Sequence, residues 1–259
     1  MSVNIALHLW SLTGPPAEEA RLAAHLSGDE AARAARFVHD RDRRAYRFGR
    51  GRLREILGAV TGIAPKGLTF DYGSHGKPEL REGPQFNLSH SGGIACLAIH
   101  PDIVLGVDIE AFRPIEDGVA QRFFTPHEYA TLSALPQASW SDGFFRCWTR
   151  KEAVVKAIGN GLSIPLDAFD VTLSPNHAPR MTRLRPTHGR LADWSLVHFD
   201  LRRDPNVAQA PDPKGELAGD IRHPQAPGMV GALAAATGGA PITITVETCP
   251  AALDFDWSV

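Results

Sequence analysis

Residues 105–112 read LGVDIEAF, an apolar run interrupted by two carboxylates. Alternation of Val and Ile with other residues is typical of a β-strand, so Asp108 and Glu110 should leave the same face. A rise of about 3.3 Å per residue puts their Cα atoms roughly 7 Å apart. At an effective dielectric constant of about 20, two like charges at that distance repel by about 2 kcal/mol. The pair is either a solvated strand face or a site for a hard cation, whose binding relieves the repulsion.

The segments around this strand predict an α+β protein. Strands are predicted at 3–10, 68–73, 94–100, 103–110, 168–173, 194–201, 228–236 and 241–247, and helices at 40–61, 116–123, 126–134 and 141–158. A capping box, Ser27 with Glu30, opens a further short helix. The turn at Pro101 and Asp102 predicts that the strand carrying the carboxylates forms a hairpin with the preceding strand.

Composition limits the class of protein. A chain of 259 residues with 43% hydrophobic residues can bury a real core and fits one large domain or two similar halves. The three cysteines lack metal-site spacing, and two lie in apolar runs, which indicates reduced thiols and a cytoplasmic setting. The N-terminal MSVNIALHLWSL lacks the features of a signal peptide, and no stretch approaches the ~20 apolar residues of a membrane span.

Basic residues are concentrated in one segment, which we expect to attract an anion. Its arginines are Arg33, Arg36, Arg41, Arg43, Arg44, Arg47, Arg50, Arg52 and Arg54. A nucleic-acid surface is one alternative. The formal net charge of −2 and the lack of interleaved aromatic residues beyond Tyr46 and Phe48 argue against it.

A third carboxylate lies in residues 148–156, WTRKEAVVK. Glu152 and Lys156 are four positions apart on a predicted helix and share a face, with Lys151 beside them. An exposed ion pair would explain this spacing. The many apolar residues of this segment instead predict a buried helix, on which a charged cluster needs a partner.

Two polar stretches are candidates for phosphate contacts. FNLSHS at residues 86–91 places Ser89 and His90 where they could hold a phosphate, or it is an ordinary polar turn. In GSHGKP, Lys77 lies in a loop whose backbone can approach a ligand closely. Pro78 follows this lysine where a Walker loop requires Ser or Thr, so the loop is not of that type.

Two other segments have simpler interpretations. Thr125, Pro126 and Glu128 fit the N-cap, N1 and N3 positions of a helix, and a capping box accounts for the glutamate. Residues 202–227 are rich in Pro, Asp and Gly and contain few apolar residues, which predicts a mobile surface insertion.

Taken in order, FNLSHS, GVDIE and WTRKEAVVKAIGNGL resemble the signature motifs of the Sfp-type 4′-phosphopantetheinyl transferases. The resemblance extends to GKP at 76–78, to RFVHDRDRRAYRFGRGRLREIL at 36–57 and to Phe124 with Glu128, and it covers about residues 26–175. It implies an α+β fold of two similar halves, 1–105 and 106–259, which are related by a pseudo-twofold axis. Coenzyme A would bind between the halves.

The resemblance also implies residue roles. Asp108, Glu110 and Glu152 would bind Mg²⁺, with Mn²⁺ as an alternative, and the catalytic residues would be Glu152, Lys156, Asp108 and His90. The residues implied to bind coenzyme A are Arg41, Arg44, Arg50, His75, Gly76, Lys77, Pro78, Asn87, Ser89, His90, Asp108, Lys151, Glu152 and Lys156. Arg41 is preferred for the 3′-phosphate, with Arg43, Arg44 and Arg50 as alternatives.

In the implied reaction, a serine of an apo acyl or peptidyl carrier protein attacks the β-phosphate, and 3′,5′-ADP leaves. Glu152, a metal-bound water or, less favoured, Glu128 would take the proton of the serine. The carrier would dock near residues 159–190. We expect a cytoplasmic monomer with neither nucleic-acid nor membrane partners. A noncatalytic regulator that binds coenzyme A or a carrier protein on the same scaffold is the alternative.

Overall fold

Helices and strands are mixed along the chain in an α+β arrangement. The computed structural model describes residues 1–73, 76–159, 164–185, 187, 189–203, 228–248 and 253–256. The strands are β1 (Val3–Ser11), β2 (Phe70–Tyr72), β3 (Pro78–Leu80), β4 (Gln85–Ser91), β5 (Ile94–His100), β6 (Leu105–Ala111), β7 (Phe169–Val171), β8 (Met181–Leu184), β9 (Ser195–Arg203), β10 (Met229–Ala235), β11 (Ile242–Thr248) and β12 (Leu253–Asp256). The α-helices are α1 (Pro16–Ala23), α2 (Gly28–Ala35), α3 (Asp40–Thr61), α4 (Val119–Phe123), α5 (Pro126–Ser133) and α6 (Gln137–Ile158).

The longer elements confirm the predictions from sequence periodicity. Helix α3 has the predicted bounds, and Gly62, which follows it, adopts the left-handed conformation (φ 74°) that commonly ends a helix. Helix α6 begins earlier than predicted, directly after Pro136. The predicted strand at 68–73 is shorter in the structure, where β2 pairs only with β3.

Two four-stranded sheets form the centre of the molecule. Sheet A has the order β11-β1-β5-β4, and sheet B has the order β12-β9-β10-β6. Their facing sides share one apolar core, to which β1 contributes Ile5, Leu7 and Leu9 and β6 contributes Val107 and Ile109. Helix α3 packs on the other face of sheet A, and α6 packs on the other face of sheet B. Each sheet therefore has a 22-residue helix on its outer side.

The division of the chain into halves at residue 105 stays a prediction. Sheet A draws most of its strands from the first part of the chain and sheet B from the second. Strand β11 lies in the predicted C-terminal half but pairs in parallel with β1, from Val3–Ile242 onwards. The hydrogen bonding thus joins the two parts of the chain within sheet A.

The predicted hairpin between the strand at 94–100 and the strand carrying the carboxylates is wrong. Strand β5 pairs with β4 and β1, whereas β6 pairs with β10. The actual hairpin joins β4 to β5 through Gly92 and Gly93, which have φ values of 54° and 80°. Two successive positive φ values are typical of the tight turns that suit antiparallel strands. FNLSHS is consequently a strand rather than a polar turn.

Strands β4 and β6, the edges of their sheets, meet through side chains instead of a backbone ladder. The amide of Val107 donates to Asn87 Oδ1 (2.9 Å), that of Ile109 to Ser89 Oγ (3.2 Å) and that of Ala111 to Ser91 Oγ (3.1 Å). Both sets of residues have the two-residue spacing of strand faces. Three polar side chains therefore satisfy the backbone donors along the edge of sheet B.

Two further predictions concern membrane-spanning helices and the segment at 202–227. No helix within the described ranges is long and apolar enough to cross a bilayer. Of the predicted insertion at 202–227, residues 204–227 lie outside the described residues. The prediction that it is a mobile insertion stays a prediction.

We expect Gly106→Ala to destabilise the protein because α6 packs directly on this glycine. A Cβ atom here would lie 2.2 Å from the carbonyl oxygen of Ala153 and 2.3 Å from the amide nitrogen of Ala157. Strand and helix must separate, and overpacking of this kind typically costs about 1–3 kcal/mol. Urea denaturation measures the loss of unfolding free energy. Gly28→Ala is the matched control, since a Cβ there meets nothing within 4 Å, and equal effects of both substitutions would contradict the expectation.

Candidate active site

An ion pair between Asp108 of β6 and Lys156 of α6 lies at the centre of the candidate site. Lys156 Nζ donates to Asp108 Oδ1 at 2.6 Å and to Ser89 Oγ at 3.0 Å. Ser89 in turn donates to Asp108 Oδ1 at 2.9 Å. Asp108 and Ser89 are buried, whereas the side chain of Lys156 is 27% exposed. The structure therefore brings together three predicted site residues, with the ammonium on the accessible side.

Glu110 continues the site along β6. Its carboxylate accepts a hydrogen bond from Ser91 Oγ at 2.7 Å and pairs with Arg113. Neither partner was singled out from the sequence. The sequence nonetheless contains a pattern for each residue. Ser91 continues the two-residue spacing of Asn87 and Ser89, and Arg113 follows Glu110 by three residues.

Glu152 of α6 is half-buried and interacts electrostatically with Asp108 and Glu110. Burial raises the pKa of Glu152, and the negative charges of Asp108 and Glu110 raise it further, against the opposing effect of Lys156. Burial likewise raises the pKa of Asp108, although Lys156 and Ser89 favour its ionised form. The three carboxylates thus form one repelling electrostatic group, as the sequence predicted for two of them.

The donors of this group fit a hard divalent cation in chemistry but are not arranged as a finished metal site. Asp108 Oδ2 is buried and has no hydrogen-bond partner within the described part of the chain. Among the same residues, however, no three His, Cys, Asp or Glu side chains have the arrangement of a metal-binding group. Asp108 and Glu110 are instead neutralised by Lys156 and Arg113. To bind a cation, Glu110 would exchange its arginine for the metal.

Lys151 does not face this site, although it precedes Glu152. Its ammonium is completely buried and donates to the carbonyl oxygens of Leu166 and Phe169, both at 2.6 Å, and it lies 2.8 Å from Glu128 Oε2. These contacts use all three of its N–H donors. The structure therefore leaves Lys151 no donor for coenzyme A, contrary to the predicted assignment.

Glu128 forms the capping box that the sequence predicted. Its carboxylate accepts from the amide of Thr125 at 2.9 Å, and its own amide donates to Thr125 Oγ1 at 3.2 Å. The carboxylate also accepts from the amide of Val171 and pairs with Lys151. Only 1% of the residue is exposed, so in this structure Glu128 is a structural group whose carboxylate binds other groups of the protein.

Lys77 also binds protein groups. Its ammonium donates to the carbonyl oxygen of Lys156 at 3.0 Å and to that of Leu105 at 3.3 Å. Burial lowers the pKa of this ammonium. Lys77 and Pro78 line a cavity of about 310 Å³, together with Asp71, Glu79, Leu80, Arg81, Pro84, Gln85 and Phe86. Gly76 has φ 79°, and His75 lies outside the described residues.

His90 and Ser89 leave opposite faces of β4. Ser89 is buried toward β6, whereas His90 is exposed. The structure thus separates two residues that the sequence had placed in one phosphate site. Asn87 is buried and its side-chain oxygen binds the amide of Val107, which is a structural contact.

Most of the described arginine contacts in α3 are made to acidic residues of the same part of the chain. Arg44 and Arg47 bind Glu19, and Arg50 and Arg54 bind Glu30. Arg50 also donates to Tyr72 Oη at 2.6 Å. The side chain of Arg41 is 65% exposed and contacts only its neighbour Asp42 among the ion pairs of the described residues. Arg41 is therefore the most available of the predicted phosphate ligands.

The predicted carrier-docking region, 159–190, starts where α6 ends. Gly159 has φ 77° and its amide bonds to Val155, as expected for a glycine that ends a helix. Residues 160–163, 186 and 188 lie outside the described part. The assignment of this region to carrier docking stays a prediction.

Comparisons with known proteins agree with the motifs. A family model described as the 4′-phosphopantetheinyl transferase superfamily matches residues 104–210, and a model described as 4′-phosphopantetheinyl transferase, N-terminal, matches residues 13–102. The chain is 42% identical over 202 residues to the 4′-phosphopantetheinyl transferase HetI of Nostoc sp., covering 74% of this chain and 82% of that protein. It is 32% identical over 158 residues to the 4′-phosphopantetheinyl transferase Sfp of Bacillus subtilis, covering 60% of this chain and 70% of the relative.

We expect Glu152→Gln to stabilise the protein in a pH-dependent manner. Because the pKa of Glu152 is raised in the folded state, the folded protein binds the proton more tightly than the unfolded chain, and wild-type stability falls as pH rises through this window. The variant lacks this loss. It should therefore melt at a higher temperature than the wild type at pH 7, and the difference should vanish near pH 4, about where a glutamate of the unfolded chain becomes protonated.

Thermal melts at several pH values without added metal measure this difference. Glu116→Gln, at an exposed position, is the matched control and should show little change. A variant that melts below the wild type at pH 7, or a difference that persists at pH 4, would contradict the expected repulsion.

Proposed function

Since this chain belongs to the 4′-phosphopantetheinyl transferase superfamily, we propose that it transfers the 4′-phosphopantetheine group of coenzyme A to a serine hydroxyl of an apo carrier protein. The serine oxygen forms a bond to the β-phosphorus, the bond from that phosphorus to the bridging oxygen breaks, and 3′,5′-ADP leaves. The observation that carries the proposal is the contact of Lys156 with both Asp108 and Ser89, next to the half-buried Glu152.

We assign the metal-ligand role to Asp108, Glu110 and Glu152. The buried Asp108 Oδ2, without a partner among the described residues, and the raised pKa of Glu152 both favour an added positive charge. Oxygen donors suit Mg²⁺, with Mn²⁺ as an alternative. When bound, the cation would neutralise negative charge on the pyrophosphate of coenzyme A.

Lys156 would stabilise the leaving group. Its ammonium is fixed by Asp108 and Ser89 and remains partly accessible. A charge held in place before the reaction needs little reorganisation as the bridging oxygen becomes negative. This role predicts a larger effect of Lys156 on the transition state than on the bound coenzyme A.

Glu152 is the proposed acceptor of the serine proton. A general base works best when its pKa is near the working pH. Burial and the neighbouring carboxylates raise the pKa of Glu152 in that direction, and a bound cation would lower it again. Glu128 is unsuitable, because both its oxygens bind protein groups and the residue is buried.

The alternative is a noncatalytic protein that binds coenzyme A or a carrier. Binding alone does not require a fixed, partly accessible ammonium beside a group of carboxylates that repel each other. The grouping of Lys156, Asp108, Glu110 and Glu152 in one place favours the transferase.

The proposed reaction is tested by incubating candidate apo carrier proteins with the protein, coenzyme A and Mg²⁺ and measuring intact mass. A carrier should gain one phosphopantetheine group, and Lys156→Ala should lower the turnover by about 10²-fold with a smaller change in the affinity for coenzyme A. Lys66→Ala, at an exposed position of the first half, is the matched control. Binding of coenzyme A or a carrier without any mass gain would favour the noncatalytic alternative.

A second experiment tests Arg41 as the group that binds the 3′-phosphate. A charge-assisted hydrogen bond contributes about 1.5–3 kcal/mol, so dephospho-coenzyme A should bind the wild type about tenfold or more weakly than coenzyme A. Arg41→Ala should weaken coenzyme A and leave dephospho-coenzyme A nearly unchanged. Arg36→Ala, at another exposed arginine of the basic segment, is the control. Equal losses for both ligands in Arg41→Ala would remove Arg41 from the phosphate site.

A further inference from the structure

Lys77 connects the hairpin formed by β2 and β3 to both elements that carry the candidate site. Its ammonium donates to the backbone carbonyl of Leu105, the first residue of β6, and to that of Lys156, in the last turn of α6. Leu105 precedes Asp108 by three residues. A single side chain thus contacts the strand that carries Asp108 and Glu110 and the helix that carries Lys156.

The contact with α6 has a clear physical basis. The last four carbonyl groups of a helix lack partners within the helix, and a cation near these carbonyls is stabilised by the helix dipole. Lys77 satisfies one of these carbonyls, on the residue whose own side chain reaches Asp108. The backbone of Lys156 is therefore held from one side by Lys77, while its ammonium is held from the other by Asp108 and Ser89.

We propose that Lys77 is a positioning residue that holds the end of α6 against β6 and so sets the distance between Lys156 and Asp108. The resemblance to known transferases had suggested a direct contact with coenzyme A for this lysine. The structure shows its ammonium bound to two carbonyl oxygens instead. The catalytic part of the inference rests on the proposed function, whereas the effect on α6 does not.

The test compares Lys77→Met and Lys77→Arg with Lys66→Met in the full chain. Methionine keeps much of the volume of the side chain and removes the donors, whereas arginine retains several donors for the two carbonyls. Hydrogen exchange of the ligand-free protein, measured on peptides covering the last turn of α6, reports directly on whether Lys77 holds the end of this helix. Calorimetry with coenzyme A and carrier modification at saturating coenzyme A report on binding and turnover.

In Lys77→Met, we expect faster exchange in the last turn of α6, turnover lower by about tenfold or more, and an affinity for coenzyme A within about threefold of the wild type. A misplacement of about 1 Å is enough for a rate loss of this size, and a loss of turnover without a loss of binding is the signature of altered positioning. Lys77→Arg should recover part of both the protection and the turnover. Lys66→Met should change neither.

Unchanged exchange in the last turn of α6 of Lys77→Met would overturn the proposal, and so would a tenfold loss of affinity for coenzyme A with normal protection, which would indicate a direct ligand contact. Normal turnover together with faster exchange would equally remove Lys77 from the positioning of Lys156. If the wild type modifies no carrier, the proposed function fails. The exchange measurement still decides whether Lys77 holds the helix.

Discussion

The edge-to-edge contact of β4 and β6 is the interaction on which the rest of the structure depends. Neighbouring strands within a sheet satisfy each other through backbone groups, but here Asn87, Ser89 and Ser91 supply side-chain acceptors for three backbone donors of β6. A buried amide without an acceptor would be costly. These side chains therefore allow two separate sheets to meet along their edges, although no backbone ladder joins them.

The same hydroxyl groups also orient the site. Ser89 and Ser91 accept from the amides of β6 and donate to Asp108 and Glu110, respectively. A hydroxyl can do both at once. The join between the sheets and the orientation of the strand carboxylates consequently have a common origin, and α6 completes the site by bringing Glu152 and Lys156 to the face of sheet B. The edge of sheet B therefore joins the two sheets and also carries the candidate site.

Much of the fold could be predicted because long elements have strong periodicity, as in α3 and β1. The pairing of strands could not, since β5 is apolar on both faces and the alternating pattern of β6 does not identify its partner strand. The grouping of Asp108, Glu152 and Lys156 was predictable from the resemblance of their motifs. The roles of Lys77 and Lys151 were not, because their ammonium groups bind backbone carbonyls, and a backbone carbonyl carries no signal in the sequence.

The pairing of β11 with β1 has a consequence for the order of folding. Val3 and Thr243 lie beside each other in sheet A although 240 positions separate them in the chain. Closing such a long loop costs entropy before the contacts it allows can form. During synthesis, β1 leaves the ribosome long before its partner, so this edge of sheet A stays unpaired until residues 242–248 emerge. An unpaired edge can template association with other chains, and the time during which nascent chains are vulnerable is therefore set by the distance from β1 to β11.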